Sequence, residues 1–463
     1  MVFSSIPFLF LFFPIFLILY YALPFKLKNI VLLIFSLIFY AWGEPIYILL
    51  MIFSSIVDYI NGQMIEKNQK HKKKFLIFSI IVNLSMLGFF KYADFLINIV
   101  NNILNISIDN LNLGLPIGIS FFTFQTMSYS IDVYKGNVKA EKNFLTFMTY
   151  VCMFPQLIAG PIVRYETVSS ELHKRNITFN KICDGFARFL RGIFKKVLIA
   201  NNVGYLFTVI STTPINEISV FTAWTAIFAF AFQVYFDFSG YSDMAIGMGK
   251  MLGFTYLENF NYPYISKSIT DFWRRWHISL SSWFKDYVYI PLGGSRVSKL
   301  LNIRNIFIVW FLTGIWHGAA WNYILWGIYF GILLLLEKFI LNKYIEKLPN
   351  FAKHIYTLFL VLIGWTIFAF EDINLLKDFM GVMFLFNGNS LIDSNFFYYL
   401  SNYFVLFTIA IIFSMPTYKV LMDFLKTKKM AKYILIFSYI LLFFISLSYL
   451  VSDSYNPFLY FRF

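Results

Sequence analysis

Apolar runs of about twenty residues recur from the first residues of this chain to position 450, and that length is what one helix needs to cross a bilayer. Such runs leave little room for a water-soluble globule. Of the 463 residues, 59% are hydrophobic and 22% aromatic, while only 13% are charged. These proportions place the chain among all-α polytopic membrane proteins. Candidate spans lie near 6–23, 29–42, 45–62, 75–92, 113–133, 144–160, 182–212, 219–247, 305–317, 320–338, 353–370, 399–416 and 433–450. Not all need cross, so the expectation is about 11–13 transmembrane or re-entrant helices, since helices shielded by neighbours can be short or broken. The stretch from Phe3 to Leu23 lacks a basic n-region and a cleavage site, and reads as a retained first helix. No repeat or linker divides the chain, and 1–463 is expected to be a single domain.

The formal net charge of +14 does not imply nucleic acid. In a protein of this kind Lys and Arg concentrate in short loops and mark the cytoplasmic side. Lys26 and Lys28, Lys67 to Lys74, and Lys135, Lys139 and Lys142 alternate with Lys-poor turns. That order puts the N-terminus outside. The basic loop from Lys426 to Lys432 sends the last span outward, with the tail Pro457 to Phe463 outside as well. Pro155 and Pro161 bracket Gln156 in what reads as a re-entrant turn. Residues 250–304 are too polar for lipid and too apolar for a free loop, and are expected to form amphipathic helices at the cytoplasmic interface.

Of five histidines, two stand in Trp-His contexts, and an ionisable group beside an apolar run is a functional candidate. His277 lies in Phe272-Trp273-Arg274-Arg275-Trp276-His277-Ile278-Ser279. On a continuous helix Asp271, Arg274, His277 and Ser281 would share one face. The plainer reading is an interfacial helix anchored by its Trp and Arg side chains. His317 ends the run Ile306 to Leu312, and Gly314 and Gly318 beside it allow close approach of a helix or ligand. An imidazole at that position can act as general base on a hydroxyl. It can also be silent if its nitrogens meet backbone carbonyls.

Gln233, Asp237 and Asp243 form a polar island inside an apolar span, where Ser239-Gly240 could break the helix. Asp58 and Asp132 read as lone acids near span ends. Arg296, in the turn Gly293-Gly294-Ser295-Arg296, could touch an anion. No metal-ligand spacing, Walker loop or nucleophile elbow is present. Cys152 and Cys183 stand apart from one another and read as structural.

The wording of these motifs is more specific than their composition. Asp271 to Ser281, followed by Trp283 to Arg296, closely resembles the signature of membrane-bound O-acyltransferases, and within them the bacterial alginate O-acetyltransferase branch. Phe154 to Pro161, Phe236 to Asp243 and Gly314-Ile315-Trp316-His317-Gly318 agree with it. The resemblance implies helices around a central tunnel, with His317 catalytic and His277 a second functional residue facing it. Arg274, Arg275, Trp276, Ser279, Gly314, Trp316, Asp237, Gln233 and Arg296 become candidate contacts for substrate or donor. No cofactor or metal is expected to be bound. A cytoplasmic thioester such as acetyl-CoA would supply the acyl group. The acceptor would be hydroxyls of an exported polysaccharide or peptidoglycan, reached directly or through a secreted partner, at the bacterial inner membrane. The alternatives are D-alanyl transfer toward teichoic acid and, from another class, a transporter with a histidine proton relay.

Overall fold

The protein is described by a computed structural model covering residues 1–158, 160–425 and 429–452. Positions 426–428, within the last basic loop, and the tail Pro457 to Phe463 lie outside the described residues. Of the described residues 77% are helical, and no strand occurs among them. Among the described residues ten helices are long and apolar enough to cross a membrane, which bears out an all-α polytopic protein. Packing groups the chain into two compact units, Met1–Phe189 with Tyr241–Leu257, and Leu190–Gly240 with Glu258–Phe463.

In the first unit, α1 (Phe13–Ala22), α2 (Phe25–Gly43), α3 (Ile48–Lys67), α4 (Lys72–Leu104) and α5 (Ile119–Lys135) precede α6 (Phe144–Cys152) and α7 (Phe154–Leu157). The expected span at 144–160 is therefore broken at Met153, which takes ψ 110° between α6 and α7. Pro155 sits in the first turn of α7, where its missing N–H costs nothing. Gln156 is fully buried and donates to Tyr150 O at 2.7 Å. Phe154 packs on Phe12, Phe16 and Phe39 at 5.1–5.5 Å between ring centroids. The unit also holds α8 (Tyr165–His173) and most of α9 (Phe179–Phe194).

Asp58 corrects one reading. It lies in mid-α3 with no exposed surface, not at a span end. Ser79 and Ser130 donate to its Oδ1, the latter at 2.8 Å, and Asn83 donates to Oδ2 at 2.6 Å. Lipid tails are as apolar as any side-chain core, so helices in a bilayer are held by close packing and such interhelical hydrogen bonds, each worth about 0.6–2 kcal/mol. Hydropathy registers one acid in an apolar run, and only the neighbouring helices supply its partners. Asp132 is buried too, close to the C-terminal end of α5 as expected.

The second unit contains α10 (Asn201–Ser211), the first two-thirds of α11 (Val220–Leu252), α12 (Ile269–Arg275), α13 (Ile278–Phe284), α14 (Lys299–His317), α15 (Trp321–Leu336), α16 (Asn342–Ile345), α17 (Asn350–Ala369) and α18 (Ile373–Met383). Beyond them, α19 (Ser394–Phe413) is only 6% buried. Residues 269–284 do not form exposed amphipathic helices. Ile269, Phe272, Trp273 and Trp276 are buried with Trp326, Phe330 and Trp365 in one aromatic core. Trp273 meets Trp310, Phe330 and Trp326 at 4.7, 4.9 and 5.4 Å, edge to face at 67°, 82° and 84°. Edge-to-face pairs of this kind are worth about 0.5–1.5 kcal/mol each beyond their buried area. Nor does α11 break at Ser239-Gly240, for it runs unbroken through both acids. On the second unit's side Asp237 pairs with Lys196 at 2.7 Å, and on the first unit's side Asp243 pairs with Arg188 at 2.8 Å.

Candidate functional site

His277 is placed by a break in the helix, not by a helix face. The Ser268 side chain caps α12 by accepting from Asp271 N at 3.0 Å. The Glu337 carboxylate takes the N–H groups of Ile269 at 2.6 Å and Thr270 at 2.9 Å. Glu337 itself lies in the π-helical turn Glu337–Leu341 and is 3% exposed. Thus α12 begins on a fixed carboxylate, which satisfies its orphan N–H groups. It ends at Arg275, and His277 adopts φ 45°, ψ 55°, a left-handed conformation that no residue of a right-handed helix can hold. Asp271, Arg274, His277 and Ser281 therefore do not form one helical stripe. Asp271 instead pairs with Arg275 at 2.9 Å.

The reason for the break sits upstream. Asn259, itself buried, accepts Ile278 N at 3.0 Å on its carbonyl. Its side-chain oxygen takes Ser279 N at 3.1 Å and Ser279 Oγ at 2.9 Å. Asn261 N donates to Arg275 O at 2.9 Å, so the irregular segment 259–261 clamps both sides of His277. A left-handed His costs about 1–2 kcal/mol. Here that cost is offset by hydrogen bonds that leave the imidazole 1% exposed.

The His277 ring meets Phe238 edge-on at 4.6 Å and Trp316 at 5.9 Å. His317, at the end of α14 and 4% exposed, meets the same Trp316 at 5.1 Å, Trp326 at 4.9 Å and Phe368 at 5.4 Å. Two histidines 40 positions apart in the sequence numbering thus lie against one indole. The crossing of α14 and α15 fixes His317. A Cβ at Gly314 would stand 2.5 Å from Tyr323 O, and one at Gly327 2.5 Å from Trp310 O. Only glycine lets these backbones approach so closely.

Burial pushes the His277 imidazole down to about 3, because the cation loses its hydration. The ring is neutral at any physiological pH and is suited to donate or accept a hydrogen bond without charge. In the unfolded chain the proton binds near the ordinary value of about 6.5. Between those two values the unfolded state therefore holds more protons, so stability rises with pH over that window and is flat above it. Unfolding of the purified protein followed from pH 7 to pH 4 is expected to show this slope. In His277→Gln the slope should be shallower by about one proton, and an unchanged slope would mean the imidazole is not held neutral.

The remaining candidates divide. Trp276 is 2% exposed and packs against Trp365 at 4.8 Å with the rings tilted by 51°, and Ser279 is locked on Asn259. With Gly314 and Trp316 they belong to the same aromatic nest as the histidines. Arg274 and Arg296 are exposed, and Arg275 is turned to Asp271 and Asn261 O. Gln233 packs on the bare backbone of Gly204. Asp237 faces Lys196, while its neighbour Phe238 touches His277. Asn259, Glu337, Trp326 and Phe368 had no motif to mark them.

Asn259→Ala is expected to lower kcat about tenfold, with a smaller change in KM, because Ser279 loses its acceptor and the His277 turn loosens, a cost of about 1–3 kcal/mol. Asn259→Asp, which keeps the acceptor, should recover most of it. Equal kcat in wild type and the Ala variant would show that the clamp does not position His277.

Comparison with known proteins places these motifs in context. Residues 138–376 match the model of MBOAT, the membrane-bound O-acyltransferase family. The "Probable alginate O-acetylase AlgI" of Pseudomonas aeruginosa is 42% identical over 402 residues, covering 85% of this chain and 77% of the relative. The "Peptidoglycan O-acetyltransferase" of Helicobacter pylori is 35% identical over 429 residues, 84% of this chain and 81% of the relative. The "Teichoic acid D-alanyltransferase" of Bacillus subtilis is 29% identical over 251 residues, 52% of this chain and 63% of the relative.

Proposed function

Because this chain belongs to the membrane-bound O-acyltransferase family, we propose that it moves an acetyl group from a cytoplasmic thioester, acetyl-CoA, to hydroxyls of an exported polysaccharide or peptidoglycan. It works from the bacterial inner membrane, directly or with a secreted partner, and its whole length, 1–463, serves as one catalytic domain. The observation that carries the chemistry is the pair of buried imidazoles on the Trp316 indole.

In this scheme a nitrogen of His317 takes the acceptor's hydroxyl proton as its oxygen attacks the thioester carbonyl. The C–S bond then breaks, and the departing thiolate recovers that proton from the imidazolium. His277, neutral and held rigid, donates a ring N–H to the oxyanion of the tetrahedral intermediate. The surrounding Trp and Phe side chains exclude water, which would otherwise hydrolyse the thioester. Arg274 and Arg296, exposed at the surface, are the candidates to meet donor phosphates.

D-alanyl transfer is the second reading, favoured by the D-alanyltransferase relative. That match covers about half of this chain, against 85% for the alginate relative, which supports acetyl as the group moved. Family membership gives no support to the transporter alternative. Membranes containing the protein, supplied in parallel with radiolabelled acetyl-CoA and with a radiolabelled D-alanyl thioester, separate the readings. Label in polymer from acetyl-CoA alone is expected, and label from D-alanine alone would overturn the choice.

A further inference from the structure

The first unit contains an open cleft of about 520 Å³ that the transfer chemistry does not use. It lies between the α5–α6 loop and α8, lined by Lys139, Lys142, Glu166, Ser169, Ser170 and His173 among others. Its volume falls in the range of small-ligand sites, roughly 300–1,000 Å³. The Lys142 carbonyl accepts from Tyr59 Oη at 2.6 Å, and the Glu141 carbonyl from Gln63, both near the C-terminal end of α3. The cleft thus opens at the membrane end that carries the Lys67 to Lys74 loop, the end that the distribution of basic residues assigns to the cytoplasm.

Its floor is built around a buried carboxylate. Glu141, with its side chain 4% exposed, accepts from Asn143 N at 2.9 Å and Tyr165 Oη at 2.6 Å, and its Oε2 meets His173 Nε2 at 2.9 Å. In the protonated ring both nitrogens donate, so with Nε2 turned to Glu141 the Nδ1–H is left for an acceptor. The His173 side chain is 58% exposed and is held by one edge only. With Glu141 turned inward to three donors, the charges left on the walls are Lys139 and Lys142 against the single Glu166. Neither lysine ammonium forms an ion pair with a described residue. The hydroxyls of Ser169 and Ser170 add hydrogen-bonding groups.

We propose that this cleft binds the phosphate group of a small anionic ligand, with Lys139 and Lys142 as its charges and His173, oriented by Glu141, as its directional contact. Two sources present that chemistry at this end of the molecule: a soluble phosphate ester and the headgroup of an anionic phospholipid. The site shares no residue with the histidine pair, and its test needs no turnover.

The full chain in phosphatidylcholine nanodiscs is titrated with CoA, and in a second arm is moved to nanodiscs of phosphatidylglycerol, with retained lipid counted by native mass spectrometry. Lys139→Gln/Lys142→Gln, both exposed and outside the folded core, is expected to weaken the responding probe about tenfold, each lost charge-assisted contact removing part of that. Glu166→Gln removes the opposing charge and should tighten it, a change that a purely structural Glu141–His173 latch would not produce. A response in the CoA arm identifies a soluble ligand, and one in the lipid arm identifies a headgroup. If the double lysine variant changes neither arm, the proposal is wrong.

Discussion

His317→Ala is expected to lower acetyl transfer by about 10²–10⁴-fold, the range that a positioned general base contributes. The imidazole is 4% exposed and enclosed by Trp316, Trp326 and Phe368. Water has poor access to replace it, so no solvent base rescues the variant. Removing a ring from this box also opens a cavity, and the loss of rate has to be separated from loss of fold. His317→Gln fills more of the space and still lacks a base of suitable pKa, so it should be nearly as inactive while unfolding at a temperature close to wild type. Transfer by the folded Gln variant within about twofold of wild type, a change worth less than 1 kcal/mol in barrier, would remove His317 from the chemistry.

Asp237→Ala should be the most destabilising single change in the second unit. Lys196 and Asp237 are each 2% exposed and stand 2.7 Å apart. Deleting the acid takes the counter-charge from a buried ammonium, which costs about 3–5 kcal/mol. Lys196 lies in the π-helical turn Lys195–Ala200, whose altered register brings it to face α11. The double variant Lys196→Met/Asp237→Leu leaves no stranded charge, and should recover most of the stability lost by Asp237→Ala. Thermal unfolding in detergent checks both. A single variant as stable as wild type would mean that Lys196 finds another partner.

Much of this was legible because membrane sequences advertise their spans. Apolar length alone located the long helices, since a bilayer imposes that length. The Trp-His motifs likewise named the two histidines that the structure brings onto Trp316. What a single sequence did not contain was the third dimension of polar groups. Asp58 looked like an acid near a span end because Ser79, Asn83 and Ser130 belong to other helices. Residues 269–284 looked interfacial because Trp and Arg side chains suit a headgroup layer, yet the indoles here pack against one another. Periodicity carried α12 through His277 as one helix. The break depends on Asn259, which lies upstream and acts through backbone hydrogen bonds that no helix-period pattern encodes.

In the proposed scheme His277 and His317 work as one centre around Trp316. A double-mutant cycle on acetyl transfer from radiolabelled acetyl-CoA, comparing His277→Ala, His317→Ala and the double variant at matched expression, distinguishes one centre from two. Residues that act as a unit are strongly non-additive, so the double variant is expected to be no slower than His317→Ala by more than about twofold. If instead the two losses multiply in full, the histidines act separately and the account of a single centre is wrong.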